Sequence, residues 1–496
     1  MNHSIDKVNS NTISISYSST LHQILDINFY YNYTVTKELL DDDGKIVSTY
    51  EKTMKKFLFE VVDDKIHIKY GLLEFLIMKL VLNGIDYTLN ITNNANITIN
   101  DKWNSVLNTD FRVVEGKNQY DYLKSLLEVN RALAQIYTSY GKTELLLAIA
   151  ESYLDENPDK NVIIMIPSDS IKSEFYERHE KWEVKYKIEY HKFKNKINLV
   201  NPIGLRISGK FDDDYSDEDF SNYTNNVGLV LIDEVHHLSA NSYIMFLDQY
   251  LNNYDYIYGV SGTVNSESGY LPKISDNIYE LETNVIRLIS YLSIPRLNIK
   301  NPVQLLVAYL RLELKTVPKF LSSNYGVNLN ILFNSDKLAI ELIKFLKANP
   351  NRRMFIPVYS KKNGTTLAKK LMAALGEDSV IMHGSGVNYP KLDVKYEGNW
   401  KNFLKNPKFR VLLGTSAIFE GLDSSRVNCI FSGIGVNNKM AIQPTGRSVR
   451  SDDQPLLIFP YDTNKNNHVI NSQTRSKYKK VKEQYDNTKF IQIQES

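Results

Sequence analysis

The sequence contains one cysteine, Cys429, in 496 residues. A single thiol cannot build an internal disulfide framework or a cysteine-based zinc site, which excludes cross-linked secreted domains and zinc modules and fits a reducing cytoplasm. Long apolar runs are missing too. Met1 to Lys7 has no hydrophobic segment of the kind a signal peptide needs. The most apolar stretch, Leu72 to Leu82, is about half the length of a membrane span and carries Glu74 and Lys79. It reads as a buried helix closed by Asn83-Gly84, a C-cap signal. A soluble, cytoplasmic chain without membrane contact is expected. An excess of one charge is also absent. The 59 basic and 57 acidic residues leave a net charge of +2, so any nucleic-acid footprint has to be a local patch. What remains is an ordinary globular composition, 43% hydrophobic and 23% charged, with length for about three domains.

Up to about residue 105 the pattern is of short strands with turn punctuation. Ile13 to Tyr17 alternates. Phe29–Lys37 and Ile46–Lys52 flank Asp41-Asp42-Asp43-Gly44, and Phe57–Val62 and Ile66–Tyr70 flank Asp63-Asp64, both hairpin signals. With the 72–82 helix and a strand near Tyr87–Ile91 these make a small α+β unit. From Lys117 the rhythm becomes helix, buried strand, helix. Val162–Ile166 and Val227–Ile232 are continuous apolar runs, as in strands of a parallel sheet covered on both faces. The rhythm returns with Met354–Val358, a helix over Thr365–Ala374, Val411–Leu413 and Cys429–Phe431. The fold class is therefore α/β, two parallel sheets in series behind the α+β unit. The expected division is 1–105, 106–275, 276–465 and a basic tail at 466–496. An amphipathic helix is expected near Val303–Lys315. Phe211–Phe220, with six acids in ten residues, is expected to be an exposed loop.

Three constellations carry chemistry. Thr138-Ser139-Tyr140-Gly141-Lys142-Thr143 follows a strand and precedes a helix, the arrangement in which backbone N–H groups cradle phosphates. There a lysine reaches the β/γ-phosphates and a threonine ligates magnesium. A Gly-Lys-Thr at a helix start can also arise by chance. The second constellation answers that: Asp233-Glu234-Val235-His236 stands directly after a buried strand, where Asp233 can hold magnesium and Glu234 can polarise water. The third is distant. Gln443, Arg447 and Arg450 fall at i, i+4 and i+7, one helical face, and an arginine supplied from a second domain stabilises charge developing on a γ-phosphate.

In this order the residues resemble superfamily 2 helicases of the DExH kind, over nearly the whole chain. Thr138–Thr143 resembles motif I, Ile164–Ser168 motif Ia, Asp233–His236 motif II, Ser261-Gly262-Thr263 motif III, Val358–Ser360 motif IV, Gly414–Asp423 motif V and Gln443–Arg450 motif VI. The chain is most similar to the phage UvsW-type recombination helicases, relatives of RecG. Its stretch from about 284 to 328 carries none of these motifs.

The resemblance implies two RecA-like domains with ATP and Mg2+ between them. Gln119 would read adenine, while Gly421 and Asp423 would contribute to nucleotide binding from motif V. His236, Ser261 and Thr263 would couple hydrolysis to movement. Pro167, Ser168, Tyr359, Ser360, Thr415 and Ser416 would touch the nucleic-acid backbone, contacts that position without reading sequence. The implied activity is ATP-dependent remodelling of branched DNA or of R-loops containing RNA, in the company of recombination or single-strand-binding proteins. A duplex translocase or an RNA helicase would use the same motor, and a degenerate nucleotide-binding scaffold would keep the fold. Intact Lys142, Asp233, Glu234, Arg447 and Arg450 argue against the scaffold.

Overall fold

A computed structural model describes residues 3–40, 46–91, 97–108, 113–137, 140–208, 217–251, 253–262, 264, 271–317, 324–382, 403, 406–415, 427–433, 454–464, 468–485 and 487–493. By internal contacts the chain forms two compact units. The first comprises Met1–Ile136, Lys142–Asn265 and Tyr270–Asn298, the second Tyr137–Gly141, Ser266–Gly269 and Ile299–Ser496.

The first unit opens with a five-stranded sheet, β5-β6-β2-β1-β7. Its strands are β1 (His3–Asn9), β2 (Thr12–Ser16), β5 (Phe59–Val62), β6 (Lys65–Lys69) and β7 (Tyr87–Leu89). A separate antiparallel ribbon pairs β3 (Tyr30–Leu40) with β4 (Ile46–Phe57). Asp63 and Asp64 both have positive φ, 46° and 57°. That is what a two-residue turn between right-twisted strands demands, and aspartate tolerates it. Helix α1 (Ser19–Asn28) starts on Ser18, whose hydroxyl accepts Leu21 N–H at 3.2 Å, and α2 (Leu73–Leu82) ends at Asn83-Gly84, with Gly84 at φ +62°. The α2 helix and its stop are as the sequence indicates.

The core of this sheet does not close on itself. Ile278, Val285, Ile286 and Ile289, from far along the chain, complete it. The last three lie on α10 (Thr283–Leu292). Arg131 is buried against the Tyr70 ring at 4.0 Å and donates to the carbonyls of Tyr291 and Ser10. The N-terminal sheet is thus continuous with the rest of the first unit. Removing it would leave a guanidinium and an apolar helix face exposed.

The next sheet is parallel, in the order β10-β11-β9-β12-β13-β8-β14. Its strands are β8 (Arg131–Ile136), β9 (Asn161–Met165), β10 (Ile188–Tyr190), β11 (Ile197–Val200), β12 (Val227–Asp233), β13 (Tyr256–Ser261) and β14 (Pro295–Ile299). Around them in chain order come α3 (Asp101–Leu107), α4 (Gln119–Leu126), α5 (Lys142–Glu156), α6 (Asp169–Lys181), α7 (Pro202–Ser208), α8 (Asp217–Asn225) and α9 (Asn241–Tyr250). The end of the acidic run is α8 rather than a loop, because Phe220 and Tyr223 bury on one helical face. The rest of that run lies outside the described residues.

The second unit holds another parallel sheet, β17-β18-β16-β19-β20-β15-β21. It is built from β15 (Leu305–Leu312), β16 (Met354–Pro357), β17 (Val380–Met382), β18 (Val411–Gly414), β19 (Cys429–Phe431), β20 (Leu456–Asp462) and β21 (Thr488–Phe490). Its helices are α11 (Tyr325–Asn334), α12 (Asp336–Ala348), α13 (Lys361–Leu375) and α14 (His468–Gln484). Numbered within each sheet in chain order, the strands of both run 3-4-2-5-6-1-7. These are the two tandem RecA-like domains behind a small α+β sheet.

Two expectations fail here. The segment expected as a helix near 303–315 is the strand β15, paired with β20 and β21; a short apolar run does not by its spacing alone separate a buried strand from a helix. The expected basic tail is structural as well. Helix α14 buries Ile470, Lys477 and Val481, and β21 pairs with β15 as an edge strand.

Candidate nucleotide site

The site begins where β8 ends. All six residues of β8 are buried. Gly141 has φ +94°, a left-handed conformation that a side chain disfavours. Helix α5 starts at the next residue, so Lys142 and Thr143 occupy its first turn. The N–H groups of that turn have no partner within the helix and face outward at the positive end of its dipole. Tyr140 is buried edge-on against Tyr137, with centroids 5.1 Å apart. Thr138 and Ser139 lie outside the described residues.

β12 delivers the acids. Asp233 is its last residue and is buried. Glu234 follows in the left-handed region, φ 47° and ψ 55°. For a residue with a Cβ this conformation costs about 1–2 kcal/mol, and it turns the side chain out of strand register toward Lys142. The Glu234 N–H donates to Asp233 Oδ1 at 3.0 Å, and Lys142 Nζ stands 3.5 Å from Glu234 Oε1.

β13 lies between β12 and β8 and brings Ser261 alongside. The Ser261 hydroxyl donates to Glu234 Oε2 at 2.8 Å. His236 Nδ1 is 2.9 Å from the same Ser261 Oγ and 3.4 Å from Glu234 Oε2. A hydroxyl has one proton, and an ionised carboxylate can only accept it. Ser261 therefore gives its proton to Glu234, and His236 donates from Nδ1 to Ser261.

The charges are unequal. Burial pushes the Asp233 carboxyl up to about 7, with the neighbouring Glu234 charge adding to it and Lys142 opposing. Burial also acts to raise Glu234. There Lys142 outweighs it together with the His236 and Ser261 hydrogen bonds, so Glu234 is held well below the ordinary range. Glu234 is the ionised member of the pair.

Gln119 is buried as the first residue of α4. Asn118 before it forms a capping box with Asp121, accepting Asp121 N–H at 3.0 Å while its own N–H donates to Asp121 at 3.1 Å. The residues expected to touch nucleic acid stand at strand exits. Pro167 and Ser168 follow β9, with Ser168 the N-cap of α6. Tyr359, 46% exposed, and Ser360 follow β16; Ser360 caps α13, accepting Asn363 N–H at 3.2 Å. Thr415 follows β18. Thr263, Ser416, Gly421, Asp423, Gln443, Arg447 and Arg450 lie outside the described residues.

One residue escaped the sequence reading: Glu174, whose Oε1 accepts the Thr143 hydroxyl at 3.4 Å. Its only signal was a helical position facing α5, which no motif marks.

The residue set fits a magnesium nucleotide. It offers outward N–H groups, one lysine, a threonine hydroxyl and an aspartate whose carboxyl burial raises. Among the described residues no three His, Cys, Asp or Glu side chains are grouped to cage a metal by themselves. Magnesium that shares its coordination with phosphates and water needs only one or two protein carboxylates.

Residues 112–266 match the family described as type III restriction enzyme, res subunit. That segment runs from before α4 to just past the end of β13 and so contains the site. Among solved structures the chain is similar to T4 UvsW, at 14% identity with all of both chains covered and a TM-score of 0.42. It is also similar to the Mycobacterium smegmatis helicase Lhr bound to single-stranded DNA and AMP-PNP. That match has 15% identity and a TM-score of 0.46, covering 72% of this chain and 47% of that one. A third is the Pyrococcus furiosus Hef helicase domain, at 13% identity and a TM-score of 0.42, covering 72% and 96%. Comparison with curated proteins gives no match. Among the described residues no helix is long and apolar enough to cross a membrane.

Proposed function

We propose that the chain is an ATP-hydrolysing DNA helicase or translocase acting on branched DNA or R-loops, of the UvsW-type recombination kind, in the cytoplasm of its host. The observation that carries the reading is the chain of contacts from Lys142 through Glu234 and Ser261 to His236, set beside the first turn of α5. Lys142 and the α5 N–H groups would bind the phosphates, Thr143 and Asp233 would hold Mg2+, and Gln119 would meet the base. Bound magnesium supplies neutralisation of phosphate charge. Ionised Glu234 would orient and deprotonate water, and Arg447 and Arg450 would supply further positive charge to the γ-phosphate. His236 and Ser261 share a network with Glu234, so a change at either alters the group that activates water. That supports a coupling role for both.

The nucleic-acid contacts follow the same logic. Ser168 and Ser360 stand at the N-cap positions of the helices after the second strand of each parallel sheet, where first-turn N–H groups suit backbone phosphates. Residues 1–105 would engage the substrate. Lys65 and Lys69 are tied to Asp6 and Asp248. Lys52, Lys55 and Lys56 stay exposed on β4, with Lys55 over the Tyr30 and Phe57 rings at 3.9 and 4.6 Å. Cations interleaved with rings suit unpaired nucleic acid.

The test is ATPase and strand-displacement activity measured side by side with forked DNA, linear duplex, single strand and RNA. Forked DNA is expected to stimulate most. Equal or greater stimulation by RNA would transfer the assignment to an RNA helicase. An absence of hydrolysis with every nucleic acid would leave the scaffold.

A further inference from the structure

We propose that Glu174 is a positioning residue of the nucleotide site, receiving the Thr143 hydroxyl proton and so linking nucleic acid at the start of α6 to the phosphate-binding turn. The proposal rests on the ATPase reading above and goes beyond it, since no motif includes Glu174.

Three observations support it. First, Glu174 Oε1 accepts from Thr143 Oγ at 3.4 Å. A hydroxyl whose lone pair is offered to a cation must send its single proton elsewhere, and a carboxylate behind it fixes that direction. Second, the contact is one rung of two. Four residues further along α6, Arg178 Nε meets Glu144 Oε1 at 3.4 Å. Two consecutive residues at the start of α5 are thus matched by two residues one helical turn apart on α6. Ile171 and Phe175 are buried from the same helix and set its rotation. Third, α6 begins at the Ser168 cap. Glu174 lies six residues on, roughly 9 Å along a stiff rod. Any displacement of the α6 N-terminus by a phosphate at Ser168 therefore reaches the Thr143 hydroxyl. Nucleotide and nucleic acid then share one coupling, which has to be reciprocal.

The experiment is a binding cycle on the full chain. Affinity for a non-hydrolysable ATP analogue with Mg2+ is measured by calorimetry, with and without a saturating single-stranded oligonucleotide. The proteins compared are wild type, Glu174→Gln and Glu174→Ala, each checked for an unchanged melting temperature without ligands. In wild type the oligonucleotide is expected to change nucleotide affinity by at least ~5-fold, the lower end of ordinary coupling. Glu174→Gln keeps most of that factor, because its amide oxygen still accepts the proton. Glu174→Ala brings the factor to about one while the protein binds each ligand alone. An unaltered factor in Glu174→Ala, a loss in Glu174→Gln as large as in Glu174→Ala, or no coupling in wild type would each overturn the proposal and leave the ATPase reading standing. A wild-type chain that binds no nucleotide would remove both.

Discussion

The two parallel sheets share one wiring and differ in what stands at the ends of their strands. In each, the second strand leads into a serine at a helix N-cap position, Ser168 after β9 and Ser360 after β16. At the first strand they part. β8 leads through Gly141 into α5, with Lys142 and Thr143 at its start, whereas β15 is followed by no such turn among the described residues. At the fifth strand they are opposite in charge. β12 ends in Asp233 and Glu234. β19 is followed by Ser432, whose carbonyl accepts from Lys477 Nζ at 2.6 Å, a lysine that is 1% exposed. The same topology therefore ends once in the proposed phosphate site and once in a sealed strand end. Chemistry follows from a few residues at fixed exits, while the fold supplies only the exits.

The largest effect should break the comparison at its active side. Glu234→Gln and Lys142→Ala are each expected to lower ATP turnover by ~10³-fold or more, within the range of a lost general base or phosphate contact. Glu234→Gln should still bind nucleotide. Steady-state hydrolysis beside analogue binding reads both, and undiminished turnover in either variant removes the assignment. Next come Arg447→Ala and Arg450→Ala, the contribution expected from the second sheet's half of the chain. Each should lower turnover by at least ~10²-fold, near the loss of one preorganised donor, with far less change in nucleotide affinity. Equal losses in affinity and turnover would make them binding residues instead.

Smaller effects concern the two buried charges and should have opposite pH dependence. The Asp233 carboxyl is raised from 3.8 to about 7 by burial and by Glu234. The stability it lends is full below about pH 4 and lost as pH rises through the folded value. Asp233→Asn should then abolish hydrolysis yet stabilise the nucleotide-free protein, by on the order of 1–4 kcal/mol at pH 8 and by nothing near pH 4. Lys477 is lowered from 10.5 to about 7 by burial. Its stability is present at high pH and lost as pH falls through that value. Lys477→Met should therefore stabilise the second sheet at pH 6 by on the order of 1–4 kcal/mol, net of the lost Ser432 hydrogen bond, with the gain vanishing by pH 10. Melting curves across pH check both, and a common slope for the two variants would refute the contrast.

Much of this was legible in the sequence because it is local. A glycine before Lys142 and Thr143, an acid pair after an apolar run, serine after a strand and Asn-Gly after a helix each act within a few residues. Element identity failed where spacing is ambiguous. β15 read as a helix because a short apolar stretch satisfies both periods once its neighbours β20 and β21 are unknown. The last segment read only as a basic tail because Lys477 counts as polar in any composition, although the fold buries it.

By itself, then, the sequence determined the Gly141 turn into α5, the Asp233-Glu234 pair and the repeated strand–helix rhythm, since each depends on backbone preference and adjacency along the chain. Only the tertiary structure decided that Ser261 and His236 hold Glu234, that α6 brings Glu174 to Thr143, and that α10 closes the core of the N-terminal sheet. Apart from His236 and Glu234, two positions from each other, those contacts join residues from 25 to more than 200 positions apart. They are made by the order of strands in a sheet and the rotation of helices upon it, and neither leaves a signature at any one position of the chain.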